Sequence, residues 1–494
     1  MEAIIPRCAG LDVHNKEIQT NIRCLELLTG QFTYNEVRSF STMTESLEAL
    51  AAWLEEHGVT HVAMESTGVL WKPVFNVLEG RFKVLLCNAQ QIKIFTGRKT
   101  DVKDCQWICQ LLQQGQLRGS FVPHAPLREL RDLTRHRAEL QEDRTRVINR
   151  LHKVLQDANI KLNTVATDIL GASGRAMVQA LIAGQTDPQM LAGLAQRRLK
   201  RKRPQLVQAF HGHVTEHHRH MLRMHWEHLQ TLERMIAAED RRIEEQLASA
   251  RLNAACATPC GGVPEAQLPE KSAVQTLAQV AARCDADSAP PTAAPPAQAL
   301  PAQLPQPNAP PTADPGAVPQ RRPVPPPYTF PEAVQALQWI YGIARVGAES
   351  ILAEIGTNMS QFPSDSHICS WTGICPGNRQ SGGKRHSGKT NKGNRWLRRV
   401  LTQCAWAATH KKDSYFRALY HRLLGRRGKK RALIAVAHSM LVTIYHMLKY
   451  HTNFVDLGVD YFEHLHAERR VRRHIKLLEA LGYTITPPGA RAAA

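Results

Sequence analysis

Long uninterrupted apolar runs are absent from this chain of 494 residues. The most apolar stretch, Ala432 to Leu448, is broken by His438, Ser439 and His446, so it reads as a buried helix and not as a membrane span. Met1 to Cys24 carries no lipidation signal and no secretory hydrophobic region. A disulfide framework is also missing: the 11 cysteines are odd in number and irregular in spacing, which fits a reduced cytosol. Cys256, Cys260 and Cys284 fall short of a zinc pattern, because no fourth ligand follows at a regular interval. Acidic residues are in deficit. Against 43 Asp and Glu stand 63 Lys and Arg, a formal charge of +20 with a pI near 9.7. The basic residues recur in several blocks, which suits a polyanionic partner better than a membrane surface.

The length corresponds to about three typical domains, and shifts in pattern divide it. Strands are expected at Cys8–His14, Glu17–Leu25, Gln31–Phe40, Val59–Met64 and Phe82–Cys87, with helices at Met43–His57, Pro73–Leu78 and Asp101–Leu112. The order βββαβαβα predicts an α/β layer. The chain then turns charged and helical over Leu127–Gln156, Ile169–Arg198 and Gln205–Leu247. Here Leu222, Trp226, Leu229, Leu232, Ile236, Ile243 and Leu247 recur at helical or heptad spacing, which predicts a helical hairpin or coiled coil. From Ser288 to Pro327 the composition collapses to Pro, Ala and Gln, an extended tether with no core of its own. The expected fold class is therefore α/β plus all-α: an α/β unit over 1–126, a helical insert over 127–250, a linker over 251–328, a mainly helical basic unit over 329–482 and a tail over 483–494.

Acids stand where the first unit should be apolar. Asp12 interrupts the first strand in Gly10-Leu11-Asp12-Val13-His14, and Glu65 follows the apolar run Val62-Ala63-Met64. Burying a charge in such a place needs a compensating partner. Asp101 and Asp104 lie three apart at a helix start, on one face. Four carboxylates that converge repel one another, and a hard divalent cation, Mg²⁺ or Mn²⁺, relieves that repulsion. Two such ions could serve phosphodiester cleavage. Taken singly, Asp101 could simply complement a helix dipole and Glu65 could be a surface acid at a strand end.

The strand order and these acids resemble the RuvC-like branch of the ribonuclease H fold. The segments GLDVH, MESTG and RKTDVKDCQWICQLL resemble the N-terminal DEDD domain of the IS110-type transposases, over roughly Cys8 to Gln156. Cys105 stands where that family commonly shows alanine, and a small residue is expected to suffice there. The resemblance implies a catalytic, metal-binding set of Asp12, Glu65, Asp101 and Asp104.

The last unit opens on Trp339 to Gly347, a glycine turn between helices that reads as helix-hairpin-helix-like or as an ordinary turn. Its more informative stretch is Gly373 to Arg395, where small residues alternate with Arg379, Lys384, Arg385, Lys389, Lys392 and Arg395, and Arg398 and Arg399 follow. These cations can neutralise phosphates, while glycines around Ser381 allow a tight backbone path. On the residues alone, Ser381 could be a phosphate-binding hydroxyl in a basic loop. The stretch resembles the C-terminal domain of the same transposases, approximately GLxPxxxxSGGxxxxGxxxKxGNxxLRxxL, and that resemblance implies Ser381 as nucleophile, with Ser387 as a weaker substitute. Arg197 to Arg203 and Arg426 to Arg431 could track a nucleic-acid backbone or be solvated surface.

The combined reading is a site-specific recombinase of an insertion sequence in a prokaryotic cytosol or nucleoid. The resemblance further implies donor and target DNA, a structured noncoding bridge RNA as guide, and a homodimer assembling to a tetramer. Two rivals share the same surfaces: a junction resolvase or nuclease that uses metal and water, and a non-catalytic nucleic-acid-binding protein.

Overall fold

The computed structural model describes residues 5–26, 32–66, 68–88, 92, 101–117, 119–257, 325–376, 379–381, 384–387, 390, 393–462, 471, 474–475 and 477–479, with backbone alone at 32, 101–103, 255–257, 379–381 and 384–387. Most of the expected linker, and the expected tail beyond 482, lie outside these residues.

Five strands form the first layer: β1 (Arg7–Val13), β2 (Glu17–Leu25), β3 (Phe32–Ser41), β4 (His61–Glu65) and β5 (Lys83–Cys87). Their order is β3-β2-β1-β4-β5. The first three run antiparallel as a meander, whereas β4 joins β1, and β5 joins β4, in parallel. Period-2 alternation gives the sheet two buried faces. Ala9, Leu11, Val13, Val62 and Met64 pack beneath α1 (Thr44–Glu56) and α2 (Trp71–Leu78), while Cys8, Ala63 and Cys87 pack beneath α3 (Asp101–Gln113).

Two long helices, α4 (Ala125–Asp157) and α9 (Glu216–Ala248), pair side by side, each about 50 Å long at the standard helical rise. Between them lie α5 (Leu162–Val165), α6 (Ala172–Ile182), α7 (Pro188–Gly193), a 3₁₀ turn at Arg197–Lys202 and α8 (Arg203–Ala209). The helix expected from Gln205 is thus split. Gly212 meets the Ala158 carbonyl so closely that a Cβ would sit 2.4 Å from it, and a capping box of Thr215 with His218 starts α9 afresh. The hydrophobic row also divides: Leu222, Trp226, Leu229 and Leu232 join the core of this outer region, whereas Ile243 and Leu247 join the core of the last unit.

Helix α10 (Ala250–Ala257) occupies the start of the expected linker, with Leu252 fully buried and Asn253 Oδ1 accepting from the Phe330 N–H at 3.0 Å. The last unit then builds α11 (Phe330–Leu337), α12 (Arg345–Ile355), α13 (Asp365–Thr372), a hairpin of β6 (Arg379–Ser381) and β7 (Lys384–Ser387), α14 (Arg395–Ala408), α15 (Tyr415–Arg427) and α16 (Lys429–Tyr450). Leu127 and Leu130 from the base of α4 share its core. Among the described residues α16 is the one helix long and apolar enough to cross a membrane, and 72% of that stretch is buried inside the protein.

Candidate nuclease and serine sites

The acidic edge follows from strand register. Leu11 pairs with Met64, and the parallel register extended by one residue sets Asp12 beside Glu65. Alternation puts Asp12 on the face of Cys8 and Gly10, and Glu65 on the face of Ala63, so both point to the α3 side. Gly10 decides how close α3 comes: a Cβ there would lie 2.4 Å from both the Cys105 carbonyl oxygen and the Cys109 nitrogen. Cys8 meets Cys109 at the far end of the contact, with sulfurs 3.8 Å apart, so α3 runs against β1 and delivers its first turn to the Asp12 end. Burial pushes the Cys105 thiol up to about 12, helped by the negative charges of Asp12 and Asp104 beside it. Asp101 precedes Cys105 by one turn in the same helical row.

Asp12 has a neighbour that the sequence reading left without a role. His14 Nε2 lies 3.1 Å from Asp12 Oδ2, with the carboxylate 14% exposed. The D-x-H alternation on one strand face is the signal that could have found it. Among the described residues no group of three or more His, Cys, Asp or Glu side chains closes on a common metal position, and the Asp101 side chain is not among them. Asp12, Glu65 and Asp104, carried to this end of the sheet by β1, β4 and α3, all offer hard oxygens, which suit Mg²⁺ or Mn²⁺ in chemistry.

The serine loop is a two-stranded hairpin. Ser381 pairs with Lys384 at the last position before the turn, whereas Ser387 pairs with Arg379 at the open end. Lys389 and Lys392 lie outside the described residues, and of Arg379, Lys384 and Arg385 the backbone alone is described. The loop returns through Gly393, where a Cβ would stand 2.4 Å from the Gly373 nitrogen, and Asn394 caps α14. Arg395 is exposed, its guanidinium 4.7 Å from the Trp396 ring, and Arg398 is half-buried. Arg399 instead pairs with Glu142 at 2.5 Å and so fastens α14 to α4. Gly342, read as a possible phosphate turn, faces the protein interior: its missing Cβ leaves room for the Cys404 carbonyl and the Ala408 nitrogen of α14.

Beneath the loop lies a network with no local sequence signal. Glu354, buried on α12, accepts from Arg135 at 2.7 and 2.9 Å, lies 3.3 Å from Arg131 and accepts from Asn394 at 2.6 Å. Arg137 and Glu349, both 3% exposed, pair at 2.7 Å. Arg128 of α4 meanwhile grips Glu79 at 3.0 and 2.6 Å, just after α2. Before the hairpin, Cys375 receives a hydrogen bond from Cys369 and contacts His438, which together bring its thiol down to about 5.

Residues 9–160 match the DEDD transposase family of the IS110 type, and residues 334–421 match the transposase family of IS116, IS110 and IS902. Both segments thus match IS110-type transposase families. The two matches cover the acidic edge and the start of the long hairpin, then the serine loop with α12 and α14. A solved structure of T. thermophilus RuvC in complex with a Holliday junction substrate aligns over 23% of this chain and 99% of its own, at 12% identity and a TM-score of 0.18. No curated protein matches the chain. The two matches support a DNA-cutting transposase activity in general terms.

Proposed function

We propose that this transposase recombines DNA at the ends of its own mobile element by a serine-linked route, with Ser381 as nucleophile and the acidic edge as its electrostatic partner. The observation that supports the acidic half is the register of β1 on β4 together with the close approach at Gly10, which turn Asp12, Glu65 and the first turn of α3 toward the same end of the sheet. Asp12, Glu65, Asp101 and Asp104 would hold Mg²⁺ or Mn²⁺, which supplies positive charge to a phosphate as negative charge builds on it. The sheet order fits a ribonuclease H-like, RuvC-type layer.

Ser381 stands at the hairpin tip, where its position before the turn favours it over Ser387 at the base. Attack by its Oγ on the scissile phosphorus forms an Oγ–P bond and breaks one deoxyribose O–P bond, and the hydroxyl proton ends on the departing oxygen. Arg395 and Arg398, with the loop cations Arg379, Lys384, Arg385, Lys389 and Lys392, would neutralise the phosphates around it. Arg399 is engaged with Glu142 and serves position more than binding. A structured noncoding bridge RNA is proposed to select donor and target DNA, with four protomers pairing the two sites.

The test is incubation of the full chain with its element's DNA ends, the flanking RNA and Mg²⁺, followed by mass spectrometry of any DNA joined to protein. An adduct on Ser381 that disappears in both Ser381→Ala and Asp12→Ala is expected. Cleavage without an adduct would make the chain a nuclease that uses water.

A further inference from the structure

A cleft of about 430 Å³ opens in the region between the two long helices, lined by Ala166 to Asp168, Gly171 to Gly174 and Gln196 to Leu199. Arg197 and Arg198 belong to its wall, and they begin a run in which six of seven residues are cationic: Arg197, Arg198, Lys200, Arg201, Lys202 and Arg203. All six are exposed. Among the described residues none of the six forms an ion pair; Lys202 and Arg203 donate to the Val165 and Gly193 carbonyls at 3.1 and 3.0 Å. Against them the cleft wall carries one carboxylate, Asp168, whose Oδ1 accepts from the Leu170 N–H at 2.8 Å.

The run is folded in a way that concentrates its charge. Residues Arg197–Lys202 form a 3₁₀ turn, in which side chains three apart eclipse, about 6 Å along the axis. Arg197 and Lys200 fall in one row, and Arg198 and Arg201 in a second. Such stacking of like charges is unfavourable in isolation and is relieved by a polyanion. The ridge is also fixed in place. Gln196 N–H donates to Ser173 Oγ at 2.9 Å, and Gly174 lies so near Ile169 that a Cβ would be 2.3 Å from its carbonyl oxygen. Met177, Leu181, Leu191 and Leu206 bury this unit against Leu151, Leu155 and Trp226 of the long helices.

We infer that this cleft and its basic ridge grip the phosphodiester backbone of a nucleic acid, on a unit whose core is separate from those of the acidic edge and the serine hairpin. The inference deepens the proposed function, resting on its reading of the chain as a nucleic-acid-handling protein. Arg175, just after the cleft wall, and Arg144 of α4 both donate to Glu233, so the unit that carries the ridge docks on α4 beyond Arg135, which anchors the loop base through Glu354.

The full chain and its Arg197→Ala, Arg198→Ala, Arg201→Ala variant are titrated against a labelled DNA duplex and, separately, a labelled RNA duplex of the same sequence, from low to physiological salt. The expected result is affinity weakened at least about tenfold and a log-log salt slope smaller by about 3, one unit for each phosphate contact removed. Weakening confined to RNA assigns the ridge to a structured RNA, and weakening confined to DNA assigns it to the flank of the DNA site. A charge-matched variant on the shaft of α9, Arg234→Ala, Arg241→Ala, Arg242→Ala, should leave the slope nearly unchanged. Equal losses in both variants, or no loss on either nucleic acid, overturn the inference. Strand cutting is not read in this experiment, so failure of the serine chemistry and failure of the ridge are told apart.

Discussion

Asn394 holds two elements at once: its Oδ1 accepts from the Trp396 and Leu397 N–H groups at 3.0 and 3.1 Å, while its Nδ2 donates to Glu354 Oε2 at 2.6 Å. The first pair of bonds starts α14, and the third ties the return of the serine loop to α12 and, through Arg135, to α4. Asn394→Ala should therefore cost about 1–2 kcal/mol in stability from the lost cap. It should also slow formation of the Ser381 adduct. Urea unfolding and the adduct assay check the two effects, and a full adduct rate in Asn394→Ala would show that the loop base needs no such tie.

Arg137 and Glu349 are taken almost wholly out of water, so each is costly without the other. Glu349→Ala should destabilise by about 3–5 kcal/mol, because it leaves a buried guanidinium without its main partner. The double substitution Arg137→Met, Glu349→Leu should recover most of that loss, since it removes both charges. Denaturant midpoints of the two variants decide; a double variant as unstable as the single one would mean that Asp240 and Arg345, the pair's other neighbours, carry the energy.

At Gly10 the backbone of α3 occupies the space of a side chain. Gly10→Ala should push the helix outward at a cost of about 1–3 kcal/mol and abolish DNA cleavage, because Asp101 and Asp104 move with α3 while Asp12 does not. Cys105→Ala should cleave DNA normally, since what the position requires is small size. Loss of cleavage in Cys105→Ala would instead give the thiol a role of its own.

Cys375 should be the most readily alkylated described thiol. Hydrogen bonding from Cys369 and the contact with His438 lower it to about 5, whereas burial raises Cys404 to about 11 and Cys87 to about 12. Iodoacetamide labelling followed by peptide mass spectrometry should therefore modify Cys375 already at about pH 6, well below the ordinary thiol range. Because its folded value is depressed, this group contributes stability above its ordinary pKa, and the contribution is lost as pH falls through about 5. Labelling that begins only near the usual thiol pKa would refute the assignment.

The placement of Asp12 in β1 and of Glu65 at the end of β4 was legible because its signals are local. An acid after three apolar strand residues, as at Glu65, violates the burial pattern in a way that a single window displays. The strands were legible for the same reason, through alternation that reads directly as two faces. The break before α9 was not, since it depends on Gly212 meeting a carbonyl at Ala158, more than 50 residues earlier. Glu354 and Glu349 gave no warning either. They look like ordinary charges on a helix, and only the packing of α4 against α12 buries them. Gly342 was legible as a turn but not as to its side: a glycine can admit a phosphate or a helix, and here Cys404 and Ala408 fill the space.

Arg128, Arg131, Arg135 and Arg137 lie within three turns of α4, the first holding Glu79 beyond α2 and the others holding Glu354 and Glu349 of α12. The acidic edge and the serine hairpin are thus mounted on a common shaft, with no slack between them. Swinging one toward the other about residues 114–131 would tear these pairs from their partners, so their mutual angle is settled when the chain folds. Any contact that needs a different angle would first have to break those pairs.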